Sequence, residues 1–325
     1  MPSFYDILIV IAIFLTVLPA VILLYHRAKS PNAWEYRHKK ASLGLSLTLL
    51  LGTVLILYGT FVEPRLLVTN YQSVDIDNFN GEITILALSD IHAGDYNGAA
   101  DVKKIAKRIL ALRPDLVVIA GDHILAASQM DNRIALLADL EAVARTIPTY
   151  AVPGNHDYGV GGYEADQQKR YKFPNREKEV QEFMESIGIR YLKNEVEKIN
   201  INDNEFLLIG LDEFLVEKLD FSPLQEKQKE FSNLPVIAVT HNPTAIWQAA
   251  ENKVNLLIAG HTHGGQVRLP FIGAAMHIET DFPAEWYQGL HQYNDTQLFV
   301  TSGANESSAR VRLFNPPEVA LLTIY

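Results

Sequence analysis

Five short polar clusters bring together side chains suited to binding metals and moving protons. They are Ser89-Asp90-Ile91-His92, Gly121-Asp122, Gly154-Asn155-His156-Asp157, His241-Asn242-Pro243 and Gly260-His261-Thr262-His263-Gly264-Gly265-Gln266. Carboxylate, imidazole and amide oxygen are hard or borderline ligands, matched to Mn, Fe, Zn or similar divalent ions. Taken singly, each cluster is ordinary, because Asp, Asn and Gly are common turn residues. Taken together they are not. Five of the ten histidines fall in them, and each cluster directly follows a short apolar run. One carboxylate can bridge two metals about 3.5–4 Å apart, a separation used in two-metal hydrolysis of phosphoesters.

The elements that must position these groups follow from the apolar runs. Ile83–Leu88, Leu116–Ala120, Thr149–Val152, Val236–Thr240 and Leu256–Ala259 read as buried strands. Helical spacing appears between them, at 102, 105, 106, 109 and 112, and again at 136, 137, 140, 143 and 144. Phe206–Gly210, Leu298–Thr301 and Val319–Ile324 read as further strands, and Pro223–Phe231 and Ala245–Glu251 as helices. In such α/β sheets a ligand site lies beyond the carboxyl ends of the strands. Clusters more than 150 residues apart can therefore meet there. In an extended segment Asp90 and His92 would point the same way, as would His261 and His263. The polar stretch Gly159–Lys178 has no apolar period and is expected to form a loop over the site.

The N-terminal part has a different composition. Ile7–Tyr25 and Ala41–Val62 are uncharged runs of 19 and 22 residues, the first interrupted only by Pro19. Each is long enough for a bilayer core of about 30 Å. A cleaved signal peptide is the alternative for the first, but no basic residue precedes it and no clear small-x-small cleavage site follows. The loop 26–40 holds Arg27, Lys29, Arg37, Lys39 and Lys40 against Glu35 alone. By the positive-inside rule this loop is cytoplasmic. The expected organisation is a membrane anchor over residues 1–63, with transmembrane helices near 7–25 and 41–62, and a catalytic domain over 64–325. The protein is then a multi-pass cell-membrane protein with its catalytic part outside the cytoplasm. The net charge of −10 argues against a general nucleic-acid surface. The absence of cysteine removes disulfides and thiol nucleophiles. No protein partner can be inferred.

In order, Asp-x-His, Gly-Asp, Gly-Asn-His-Asp, His and Gly-His-x-His resemble the motif series of the calcineurin-like metallophosphoesterases, over residues 80–265. Gly264–Pro270, Ser302-Gly303 and Pro316-Pro317-Glu318-Val319 resemble a membrane-anchored bacterial subgroup. That subgroup includes exported cell-wall phosphoesterases and UDP-2,3-diacylglucosamine hydrolases. The resemblance implies a four-layer α/β/β/α sandwich and two divalent metal ions. It assigns Asp90, His92, Asp122 and His263 to the first metal, and Asp122, Asn155, His241 and His261 to the second, with Asp122 bridging. A hydroxide held by both would attack phosphorus in line. His156 would face the substrate as hydrogen-bond donor or acid, with Asp157 orienting it. The expected substrate is a phosphodiester or pyrophosphate, lipid- or nucleotide-linked. The alternatives are a cytoplasmic-facing UDP-2,3-diacylglucosamine hydrolase and a catalytically silent metal-binding scaffold. Arg268 is a candidate phosphate contact. Arg310 and Arg312 are expected to be surface charges, and His123 an exposed loop histidine. The loop Gly303–Ser308 is more polar than its counterparts and supports no substrate inference.

Overall fold

The structure is a computed structural model that describes residues 4–77, 79, 81–161, 167–275, 282–307 and 309–325. The apolar runs form the middle of two six-stranded sheets. The first contains β1 (Val68–Val74), β2 (Ile83–Leu88), β3 (Leu116–Ala120), β4 (Thr149–Val152), β5 (Arg190–Tyr191) and β14 (Glu318–Ile324), in the order β1-β14-β2-β3-β4-β5. The second contains β6 (Glu195–Ile201), β7 (Asn204–Gly210), β8 (Val236–Val239), β9 (Leu256–Ala259), β12 (Gly289–Tyr293) and β13 (Thr296–Val300), in the order β12-β13-β9-β8-β7-β6. A short hairpin, β10 (Arg268–Leu269) with β11 (Gly273–Ala274), stands apart from both. β2, β3 and β4 run parallel to one another, as do β7, β8 and β9. All five clusters therefore emerge at carboxyl ends.

Side-chain alternation sets the layering. Ile83, Ile85, Leu116 and Val118 of the first sheet pack against Phe206, Leu208, Ile237 and Ile258 of the second. The opposite face of the first sheet, with Leu86, Leu88, Val117 and Ile119, packs on a helix, Ala99–Leu112, through Val102, Ile105 and Ile109. The opposite face of the second, with Leu207, Ala238 and Leu257, packs on Leu224, Ile246 and Ala249 of two helices, Ser222–Glu230 and Ile246–Glu251. The result is the α/β/β/α sandwich. The helix Ala99–Leu112 begins where the Asp101 carboxylate accepts from Gly98 N–H at 2.9 Å. It ends at Arg113, left-handed at φ 52°, just before Pro114.

The strands missing from the sequence reading are mostly edge strands. β1 and β6 are largely exposed, so no apolar run marks them. The expected helix over 133–146 is a 3-10 segment, Arg133–Leu140, followed by one α turn, Glu141–Ala144. The stretch 159–178 is described only in part: Gln167–Arg170 is helical, and residues 162–166 lie outside the described residues.

Two long helices precede the sandwich, α1 (Phe4–Lys29) and α3 (Lys39–Phe61), joined through the short α2 (Trp34–Arg37). Both are long and apolar enough to cross a membrane. Their lengths of about 39 and about 35 Å exceed a hydrocarbon core. Apolar side chains such as Phe14, Leu15, Leu47 and Leu51 project outward. Polar groups turn inward, with Thr53 Oγ1 donating to Thr16 Oγ1 at 2.8 Å across the pair. α1 continues through Pro19.

Candidate metal centre

The sequence-expected ligands meet in one buried cluster between the two sheets. Asp90 Oδ1 lies 3.2 Å from His263 Nε2 and 3.6 Å from His92 Nε2. The His92 and His263 Nε2 atoms are 3.1 Å apart. Asp122 Oδ2 lies 3.5 Å from His92 Nε2 and 3.2 Å from His241 Nε2. Asn155 Oδ1 lies 3.1 Å from His241 Nε2 and 3.0 Å from His261 Nδ1. Asp122 thus stands between a group made of Asp90, His92 and His263 and a group made of Asn155, His241 and His261.

The donor set fits divalent cations. His241 Nδ1 is 2.7 Å from Ala120 O and His263 Nδ1 is 3.1 Å from Asn305 O. Both rings therefore carry their proton on Nδ1 and present Nε2 lone pairs inward. Those lone pairs face carboxylate and amide oxygens at contact distance, so acceptors confront acceptors. Asp90 Oδ1 accepts no hydrogen bond although it is fully buried. Without metal a proton must stand in. Burial opposes the imidazolium of His241, yet the adjacent Asp122 carboxylate raises its pKa well above the ordinary value.

The backbone delivers these side chains in an unexpected way. Asp90, His92, Asp122, His261 and His263 all have left-handed φ, from 45° to 70°. The pairs Asp90/His92 and His261/His263 therefore do not converge by strand alternation, as an extended segment would require. The chain kinks at each candidate ligand, a conformation that costs a non-glycine residue about 1–3 kcal/mol and gathers at functional sites. Tight approach makes the kinks compatible. A Cβ on Gly260 would collide with Ser89 Oγ, and one on Gly154 with the Asp122 backbone.

His156 sits at the rim, 7 % exposed, edge-on to His92 with ring centroids 4.6 Å apart. Its Nδ1 accepts from Ala126 N–H at 3.2 Å, which leaves the proton on Nε2. Burial, with help from the neighbouring His92 and His241, lowers its pKa to about 4 against the pull of Asp122, so the ring is neutral near pH 7.

Asp157 does not orient His156 by a hydrogen bond. Its Oδ2 accepts from Gly154 N–H at 2.9 Å and pairs with His123 Nδ1 at 2.8 Å. Its Oδ1 accepts from the His123 and Ile124 amides at 3.2 and 3.3 Å. Asp157 joins the loops after β3 and β4. His123 is correspondingly buried, not an exposed loop residue. Arg312 also departs from expectation. It is fully buried, and its Nη2 donates to Ser302 O and Asn305 O, each at 2.7 Å, beneath His263. Arg310 pairs with Asp6 at 2.6 Å and stacks on Tyr96. Arg268 is half-buried, with Nη1 donating to Gly264 O at 2.9 Å. The loop after Gly303 supports the Asp90 motif, Asn305 Nδ2 donating to Ile91 O at 2.7 Å. Ser308 lies outside the described residues.

Two further residues have no counterpart in the sequence reading. Glu63, in the 3-10 turn just after α3, is buried and accepts from the Phe314 amide at 2.9 Å and from the Asn315 amide. Asn315 Nδ2 then donates to His263 O at 2.6 Å. The helical pair is thereby tied to the loop that carries His263. Glu213 follows β7, a sixth strand end whose Asp212-Glu213 pair was the available signal. It is fully buried, and its Oε2 has no hydrogen-bond partner. Burial lifts its carboxyl pKa to about 7, although His241 and His261 oppose the rise.

The native Glu213 carboxyl keeps its proton up to about pH 7, whereas the unfolded one releases it near 4.5. The native state binds more protons across that window, so this group costs metal-free protein stability as pH rises from 4.5 to 7. Glu213→Gln removes the cost. In thermal unfolding after chelation, the variant is expected to gain about 3 kcal/mol over the parent at pH 8 and almost nothing at pH 4.5. Equal gains at both pH values would rule out the buried charge as the cause.

A four-layer sandwich with carboxylate, amide and imidazole groups gathered at the carboxyl ends of both sheets defines a metal-dependent phosphoester hydrolase. The chain belongs to the calcineurin-like phosphoesterase family, whose model matches residues 83–265. It is 25% identical over 272 residues to the uncharacterized metallophosphoesterase YkuE of Bacillus subtilis, covering 82% of this chain and 88% of that protein. It is 27% identical over 241 residues to phosphodiesterase YaeI of Escherichia coli, covering 74% and 81%. To a transmembrane protein with metallophosphoesterase domain of Danio rerio it is 26% identical over 293 residues, covering 86% of this chain and 62% of that protein. That relative and the two apolar helices fit association with a membrane.

Proposed function

We propose that this chain hydrolyses a phosphodiester or pyrophosphate presented at a membrane surface. The observation that carries the reading is the buried cluster in which seven side chains of metal-ligand type bring their oxygen and imidazole nitrogen atoms within about 3.0–3.6 Å of one another. Asp90, His92, Asp122 and His263 would hold one divalent ion. Asp122, Asn155, His241 and His261 would hold the other. When bound, such ions supply an activated water and neutralise charge on the phosphoryl oxygens.

The remaining steps fall to this chain's own groups. His156 presents its Nε2–H toward the substrate. A neutral imidazole with its pKa near 4 is better suited to donating a hydrogen bond to a phosphoryl oxygen than to protonating a leaving alkoxide at pH 7. Asp157 holds the His156 turn in place through Gly154 and His123. Arg268 would add a phosphate contact from the outer rim. Residues 1–63 would anchor the enzyme through two spans, with the basic loop 26–40 in the cytoplasm and residues 64–325 outside. Glu63 crosses that boundary by its bonds to the 314–315 amides, so the intact chain is the proper material for assay.

The test uses full-length protein in detergent with added Mn²⁺ and a panel of aryl, lipid-linked and nucleotide-linked phosphodiesters. Hydrolysis is expected to vanish on chelation and return with metal, at about two ions per chain. Stoichiometric metal with no turnover on the whole panel would favour a silent scaffold. Turnover indifferent to chelation would sink the metal mechanism.

A further inference from the structure

The hairpin that follows the His263 loop carries its apolar tip into the open. Leu269, Pro270, Phe271 and Ile272 form a turn closed by Ile272 N–H donating to Leu269 O at 3.1 Å. Phe271 is fully exposed, Ile272 is 74% exposed and Leu269 40%. Phe271 is also left-handed, at φ 67°. Glycine is the ordinary occupant of that conformation, and a bulky side chain there is strained. An aromatic that is both strained and uncovered contributes little to the fold, so its role lies outside it.

The base of the hairpin identifies the surroundings. Val267 bridges Leu313, and Arg268 N–H donates to Leu313 O at 2.9 Å. One residue earlier, Arg312 N–H donates to Gly59 O of α3, also at 2.9 Å. Val267 and Leu313 close a cavity of 290 Å³ against Leu8, Ile9, Leu55 and Ile56 of the two apolar helices. The hairpin therefore starts level with the last turns of α3, where a spanning helix meets the headgroup layer. Arg268 stands at its base, and Arg310, paired with Asp6 of α1 and stacked on Tyr96, ties the neighbouring segment to the first helix. Cations and aromatics next to exposed apolar side chains are the composition of a membrane interface.

We propose that Leu269–Ile272 inserts into the edge of the bilayer as a third membrane contact, with Arg268 at the headgroups. This rests on reading α1 and α3 as spans. The tip begins six residues after His263, so its insertion holds the mouth of the metal centre against the membrane surface. The occupant of the patch is the lipid bilayer itself, anionic headgroups facing Arg268 and acyl chains facing Phe271 and Ile272.

The chain has no cysteine, so single cysteines report unambiguously. Phe271→Cys and Ile272→Cys are spin-labelled in the full chain and reconstituted into phosphatidylcholine–phosphatidylglycerol vesicles. Leu51→Cys, outward on α3, and Glu182→Cys, on an exposed helix face of the sandwich, serve as references. Collision rates with oxygen and with a neutral nickel chelate are compared. Labels at 271 and 272 are expected to prefer oxygen, at a depth of about 5–10 Å below the phosphates. The label at 182 is expected to prefer nickel. Nickel preference at 271 and 272 with oxygen preference at 51 overturns the insertion alone. Nickel preference at 51 as well overturns the span reading beneath it. Occlusion of 271 and 272 from both reagents overturns the insertion in favour of a protein cover.

Discussion

Asp122→Asn is expected to lower turnover by at least about 10³-fold, about 4 kcal/mol of transition-state stabilisation, while leaving the fold intact. The carboxylate serves two purposes through two oxygens. Oδ1 accepts from His156 N–H at 2.8 Å, which fixes the rim histidine. Oδ2 faces the Nε2 atoms of His241 and His92 at 3.2 and 3.5 Å. Asparagine can keep the first bond through its carbonyl. Its amide protons then point at the two imidazole lone pairs and satisfy them without a cation. The variant should therefore keep parental circular dichroism, lose bound metal and lose activity together. Turnover within tenfold of the parent, at parental metal content, would refute the bridging role.

Gly154→Ala is expected to destabilise the protein by about 3 kcal/mol or more, the upper range for forcing extra volume into a packed interior. A Cβ at this position would fall inside contact distance of the Asp122 amide nitrogen, its Oδ1 and its Cα. These are backbone or closely held atoms, so the loops after β3 and β4 must separate. Separation breaks the His156–Asp122 bond and loosens the Gly154–Asp157 bond at once. Gly161→Ala is the control. Its added methyl meets the distal carbons of Lys172, a flexible side chain that can move away. That change should stay within about 0.5 kcal/mol. Equal melting temperatures for the two variants would show that the loops are not in contact as described.

Glu63 bears on how the anchor relates to the site. Its carboxylate sits just after α3 and holds the 314–315 amides, and Asn315 in turn holds the His263 carbonyl. A passive tether would need no buried carboxylate there. Leaving those two buried amides without an acceptor would cost about 1–3 kcal/mol.

What the sequence determined by itself is the set of central strands and the residues at their ends. Leu116–Ala120, Val236–Val239 and Leu256–Ala259 are legible because a strand buried on both faces must be apolar throughout, and a polar cluster directly after it has one place to go. The ligand types are legible for the same local reason. Tertiary structure alone decided the rest. The pairing of His123 with Asp157 joins loops 34 residues apart, and the bond from Glu63 to Asn315 spans 252. Arg312 looks like a surface charge until four backbone carbonyls close around it. The left-handed kinks at Asp90, His92, Asp122, His261 and His263 are not written in the local pattern, since Asp and His tolerate that region better than most residues but seldom adopt it. Contacts between distant segments hold them there. Local pattern encodes burial and ligand type, whereas the support beneath each ligand comes from whichever distant segment the fold lays against it.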